Sequence, residues 1–411
     1  MGAGPATVTF TGHAPGTREY RRLIAGLFFA GVATFAQLYA PQAVLPQLSR
    51  ALDITPATAA VTVSAGTLGI AVAVIPWSIV ADRIGRVPAM TVGVVIATAV
   101  GLIAPLSGDV SMLLALRLVE GIALGAVPAV ALAYLSEEVH ARHVATAAGS
   151  YIAGTTVGGL AGRIVSGLVG ESLAWRSGVW AAVGMCAASA VLFVWLTPRA
   201  RGFIAGRGRA GRGPAAGERL RAALTSTPLW ALYAQGFLLM GAFVAVYNYL
   251  GFHLSAPPFA LPAWLVTLLF LAYLAGTASS PWAGLLASRN GRLPVLLCSI
   301  GVMAIGTALM ALPATAGVLV GLVLFTAGFF GAHAVASGWT PVAAGADARA
   351  QASSLYYFAY YAGSSLFGWG LGVLFGGAGW EALIIAVLAM CALAAAAAAL
   401  ALRSGAFTSG S

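Results

Sequence analysis

Twelve stretches of predominantly apolar residues, each near twenty residues or longer, follow one another along this chain with short polar breaks between them. An α-helix rises only ~1.5 Å per residue, so about 20 apolar residues cross ~30 Å of hydrocarbon. The stretches lie near 22–47, 57–81, 88–107, 111–136, 144–170 and 175–197, then near 228–253, 262–287, 294–313, 315–340, 350–377 and 380–402. Only 8% of the 411 residues are charged and 60% are apolar, whereas a water-soluble domain carries roughly a quarter charged residues. Most of the outer surface therefore faces lipid. Within lipid the backbone must satisfy itself, and these runs are too long and uniform for barrel strands. The expected fold is an all-α membrane protein of twelve transmembrane helices, numbered here as spans one to twelve.

The charged residues fall mostly in the breaks. All 21 basic residues are arginine, a bias expected of a GC-rich bacterial genome. Residues 198–227 hold Arg199, Arg201, Arg207, Arg209, Arg212, Arg219 and Arg221 among many glycines, and are expected to form a flexible basic linker. Without aromatic interleaving, this stretch does not suggest a nucleic-acid arm. The remaining divisions are a polar, flexible tail over 1–21, helical halves over 22–197 and 228–402, and a tail over 403–411. If both termini lie inside, that side also collects Arg18, Arg21, Arg22, Arg83, Arg86, Arg142, Arg289, Arg292, Arg349 and Arg403, against Arg50 and Arg176 opposite. Positive charge stays on the cytoplasmic side, so cytoplasmic termini are expected. Cys186, Cys298 and Cys391 sit in apolar runs without metal-ligand spacing.

The chain repeats itself. ADRIGRVP at 81–88 returns as ASRNGRLP at 287–294, each preceded by Pro-Trp (Pro76-Trp77, Pro281-Trp282), and Gly125 meets Gly331 at the same shift of 206 residues. Two homologous six-helix halves follow, and parallel halves of this kind place a ligand site between them near the midplane.

Over essentially its whole length the sequence resembles the major facilitator superfamily. Ser78 to Val87, containing Asp82-Arg83-Ile84-Gly85-Arg86, is similar to that family's loop 2–3 signature, with Ser78 in place of the usual Gly and Val87 in place of a basic residue. Arg117-Leu-Val-Glu-Gly121 resembles its span-four motif, and Gly154 to Gly162 its glycine-rich fifth span, without the proline often found there. VYNYLGF at 246–252, GGLAGR at 158–163 and SSLYYFAYYAGSS at 353–365 are similar to inner-membrane exporters of the YnfM type, within the drug:proton antiporter-like branch. The resemblance implies a monomeric secondary transporter in the inner membrane, with no cofactor and the proton gradient as energy source. It also implies a latch in which Asp82 faces the start of span eleven, supported by Arg83, Gly85 and Arg86 and, in the second half, Arg289, Gly291 and Arg292. Ser288 stands where that half would carry its acid.

Charges inside spans are rare and face the bundle interior or a wet cavity. Arg117 and Glu120, three apart on span four, share a face, and Arg163 on span five lies at a similar depth, so the three are expected to form one proton-coupling cluster. A structural salt bridge is the alternative. Candidate substrate-binding residues are Gln37, Tyr39 and Gln42 on span one, Tyr247 and Asn248 on span seven, His333 on span ten, and Tyr357 with Tyr361 on span eleven. Tyr356 with Tyr360 forms a second i,i+4 pair there, and only one pair is expected to face inward. Such a cavity suits small amphiphilic or weakly anionic compounds, and import or uniport remain alternatives to export. A membrane-embedded enzyme would need a Ser/His, paired-Asp or metal cluster, and a channel a continuous pore; neither pattern is present.

Overall fold

The computed structural model describes residues 10–202 and 216–402. Among these, helices account for nearly all regular structure. The spans are Arg18–Leu52, Pro56–Ile84, Arg86–Leu106, Val110–Glu138, Thr146–Ser172 and Trp175–Leu196 in the first half. The second half has Thr227–Ser255, Ala263–Asn290, Arg292–Leu309 and Thr315–Ala343, followed by one continuous helical run, Gly345–Ala401. That run of 57 residues contains Gly379 at φ 78°, outside the helical region. A straight helix of that length would reach about 86 Å, far beyond a bilayer. Gly379 therefore separates span eleven (345–378) from span twelve (380–401), completing the twelve.

Local chemistry sets the starts and breaks. Thr17, Thr55 and Asp109 cap spans one, two and four by accepting from the backbone N–H of Tyr20, Thr58 and Met112. The turns after spans two and eight pass through Gly85 at φ 98° and Gly291 at φ 89°, which a Cβ would strain. Span one is broken: its α-helix ends at Tyr39 and a 3-10 turn, Ala40–Val44, carries Pro41. Span five packs directly on span one through a stripe of glycines. A Cβ on Gly158 would stand 2.6 Å from Val32 Cα, and one on Gly162 2.6 Å from Ala36 Cα. The glycine-rich stretch is thus a close-packing surface.

Two expectations need correction. The basic linker is not structureless throughout, because Ala216–Thr225 is a helix whose Ala223 and Leu224 carbonyls accept from Tyr233 Oη and Trp230 Nε1. Residues 203–215, including Arg207, Arg209 and Arg212, and Arg403 in the C-terminal tail, lie outside the described residues. The N-terminal tail is also anchored where it is described. His13 forms a bridge with Val139, exchanging backbone bonds with Glu138 and His140, while buried Glu138 accepts from the N–H groups of Arg201 and Gly202. Backbone pairing holds this segment, a signal that residue composition does not carry.

The halves meet unevenly. Thr67 Oγ1 and Ser365 Oγ are 2.8 Å apart, Ser365 also donates to Ser64 O, and Gln42 donates to Asn248 Oδ1 at 2.7 Å. These bonds lie toward the end bearing few arginines. Along span two, residues 57–71 are mostly buried, whereas 72–84 are partly or fully exposed except Ala73 and Ala81.

Candidate functional site

The break in span one organises two separate arginine sites. Pro41 has no N–H, so the carbonyl of Gln37 loses its helical partner, and the last carbonyls of the helix need donors. Arg117 supplies them. Its Nη2 donates to Leu38 O at 2.7 Å and its Nη1 reaches Gln37 O at 3.5 Å, while Nε donates to Thr62 O on span two at 2.9 Å. A cation at a helix C-terminus is also favoured by the helix dipole. Nη1 makes a 2.5 Å ion pair with Glu120, which is 1% exposed. Gln37 donates to Ala97 O on span three at 2.5 Å. This network ties spans one, two, three and four inside the first half. Gln37, expected to line a cavity, points into the half's interior instead.

Arg163 does not join Glu120. Its guanidinium is 2% exposed and has no carboxylate partner among the described residues. Nε donates to Gln42 Oε1 at 2.7 Å, Nη1 to Gly159 O at 2.6 Å, and Nη2 to Tyr273 Oη at 3.0 Å. The rings of Tyr39, Tyr273 and Phe270 lie 4.2, 4.6 and 5.3 Å from it. Three hydrogen bonds and three aromatic faces replace the hydration that a buried cation loses. The expected single cluster fails because side chains at similar depth on neighbouring helices can face opposite ways: Arg117 turns into its half, Arg163 toward the other.

Arg163 thereby stands where both halves meet. Gln42, released by the 3-10 turn, links it to Asn248 on span seven, whose Nδ2 reaches Gly368 O at 3.4 Å. Tyr247 lies alongside, stacked on Phe270 and bonded to Thr326 Oγ1 at 2.7 Å. Tyr39, Gln42, Arg163, Tyr247 and Asn248 are therefore brought together. His333 is not among them: its Nδ1 meets Tyr356 Oη at 2.9 Å and its ring stacks on Phe329 inside the second half. The span-eleven tyrosines do not divide by pairs. Tyr356 and Tyr361 are buried, Tyr357 is 40% exposed, and the ring of Tyr360 lies 4.9 Å from that of His333. Sequence reasoning missed Tyr273, Phe270 and Thr326. Applying the 206-residue shift would have paired Tyr273 with Thr67, another residue at the interface.

At the arginine-rich end, Asp82 is 53% exposed and pairs with Arg86 at 2.6 Å, not with span eleven. Arg86 also reaches Glu137 at 2.8 Å, fastening the loop to the end of span four. Glu137 was not anticipated. Ser288 bonds the carbonyl of Leu285 in its own helix. Residues 72–84 of span two are mostly exposed, and Asp82 finds its partner in its own loop.

A family model described as Major Facilitator Superfamily matches residues 27–368. The inner membrane transport protein YnfM of Escherichia coli (strain K12) is 39% identical over 381 residues, covering 92% of this chain and 90% of that protein. An uncharacterized MFS-type transporter of Bacillus subtilis (strain 168), YybF, is 34% identical over 365 residues, covering 89% of each. In three dimensions the chain superposes on a bacterial homolog of the human lysosomal transporter Spinster, in its inward-facing and unoccupied conformation. The TM-score is 0.76 at 16% identity, covering 95% of this chain and 98% of that one.

Proposed function

The chain belongs to the Major Facilitator Superfamily, and from that premise we propose that this transporter exports small neutral or weakly anionic amphiphiles in exchange for protons, by alternating access. The observation that carries the substrate class is Arg163. It is a buried guanidinium without a carboxylate partner among the described residues, held by polar and aromatic groups of both halves. A ligand arriving from the arginine-rich side would displace a neutral partner such as the Tyr273 hydroxyl, and would then meet the cation and the aromatic faces together. A ligand with one weakly anionic group and an apolar body satisfies both; a second cation would be repelled. The arginine census supports a cytoplasmic arginine-rich end in the inner membrane, which makes the present state inward-facing.

Glu120 is the proposed proton carrier, with Arg117 as its partner. The affinity of a carboxylate for a proton changes when an arginine moves toward or away from it, so a motion that loosens the 2.5 Å pair would couple protonation to conformation. The driving force is sufficient. A potential of ~100 mV gives about 2.3 kcal/mol per charge, and each pH unit adds about 1.4 kcal/mol. Together they sustain a gradient of a few hundredfold. A second reading is favoured by Arg117's bonds to Leu38 O and Thr62 O: the pair pins the break of span one and carries no proton.

Substrates are first identified by an efflux panel of amphiphilic compounds in an export-deficient host. In proteoliposomes, Glu120→Gln should then exchange substrate in counterflow yet fail to concentrate it under an imposed pH step. Concentration by the Gln variant equal to wild type assigns Glu120 to the structural reading. If even the unaltered protein ignores the pH step, it is a uniporter.

A further inference from the structure

The two halves, alike in sequence, differ on their outer faces. In the first half Trp77 donates from Nε1 to Ile122 O at 2.7 Å, which draws its indole onto span four. The second half's Pro-Trp stands one residue out of register with the 206-residue shift, and its Trp282 makes no such bond among the described residues and is 65% exposed. Beside it opens a groove of about 410 Å³ between spans eight and nine, with Gly328 and Gly331 of span ten as its floor. Leu286, Pro294, Val295 and Val302 make its walls largely apolar. It lies on the outside of the bundle, away from the face of span eight where Thr267 and Tyr273 meet the first half.

The charge pattern at the mouth of this groove also departs from the repeat. Arg86 is neutralised by Asp82 and Glu137. At the shift of 206 residues those three positions become Arg292, Ser288 and Ala343, so the cation remains and both carboxylates are gone. Among the described residues neither Arg289 nor Arg292 has a carboxylate partner or donates a side-chain hydrogen bond. Arg292 is also the first residue of the span-nine helix, and its N-cap, Gly291, offers no side chain to the free N–H groups. Asn290 and Pro294, on either side of Arg292, both line the groove.

We propose that this groove is a binding site for an anionic phospholipid. The headgroup phosphate lies on Arg292 and Arg289 at the start of span nine, and an acyl chain fills the groove against Trp282. A soluble anion would meet the arginines but leave the apolar groove unfilled, and a zwitterionic lipid would bring an ammonium group to two cations. Each arginine near an anionic headgroup contributes about a factor of five, so the pair implies roughly thirtyfold enrichment.

The test uses the full chain in phosphatidylcholine vesicles doped with a brominated lipid, whose bromines quench nearby indoles. The difference between the intact protein and Trp282→Phe isolates the Trp282 signal. Brominated phosphatidylglycerol should quench Trp282 at a mole fraction roughly thirtyfold lower than brominated phosphatidylcholine. Arg289→Gln/Arg292→Gln should bring the two lipids together without changing the quenching by phosphatidylcholine. Inorganic phosphate, compared with chloride at equal ionic strength, should leave the preference intact. Equal quenching by both lipids in the unaltered protein overturns the site, as does a preference that survives loss of both arginines. Displacement by phosphate alone reassigns the arginines to a soluble anion and overturns the lipid.

Discussion

Tyr273→Phe removes one hydroxyl and leaves its ring over the Arg163 guanidinium, 4.6 Å from the carbon. The bond lost is the 3.0 Å contact from Arg163 Nη2 across the two halves. It exists while the arginine-poor end is closed and is absent once that end opens, so its full strength weighs on one side of the equilibrium. A hydrogen bond from a charged donor contributes about 1.5–3 kcal/mol. At ~1.4 kcal/mol per decade, the population open at the arginine-poor end should rise by roughly 10- to 150-fold. Thr267, buried against Gly167 at the same seam, reports the opening. Cys186 and Cys391 are buried, so Thr267→Cys in a Cys298→Ser background is the reactive thiol. A membrane-impermeant maleimide supplied from the arginine-poor side should label it about tenfold faster or more when Tyr273 is Phe. An unchanged rate in a normally folded protein would refute the claim that Arg163 holds this end shut.

Other perturbations follow from the same contacts. Arg117→Ala leaves Glu120 buried without its partner and should cost about 3–5 kcal/mol, read as a lower thermal midpoint in detergent; adding Glu120→Ala should recover part of the loss. Gly158→Val places a side chain against Val32, 2.6 Å from its Cα, and should cost about 1–3 kcal/mol or more, so a wild-type midpoint would contradict the close packing of spans one and five. Asp82→Asn should preserve expression while raising thiol labelling of the arginine-rich vestibule and lowering it opposite; unaltered labelling with normal transport would remove Asp82 from the latch.

Hydropathy and repetition made the architecture legible before any coordinates. Crossing a bilayer requires long apolar helices, and a requirement on composition and length is written locally in the chain. The 206-residue repeat likewise identified two halves, whereas the break of span one at Pro41 was not anticipated. The association of side chains was less legible. Arg117 and Arg163 read alike as buried charges near one depth, but one serves the carbonyls exposed by Pro41 and the other an aromatic seam between halves. Helical rotation and the partner helix decide that difference, and neither is encoded within a few residues of the arginine. Glu137 went unremarked in the sequence, and the fold brings Arg86, 51 residues away, within 2.8 Å of it. Tyr273 was one tyrosine in an apolar run until span eight set it beside span five. Lipid solvates no buried cation, so each arginine takes whatever donors' partners the tertiary packing supplies, and those partners come from segments remote in the chain.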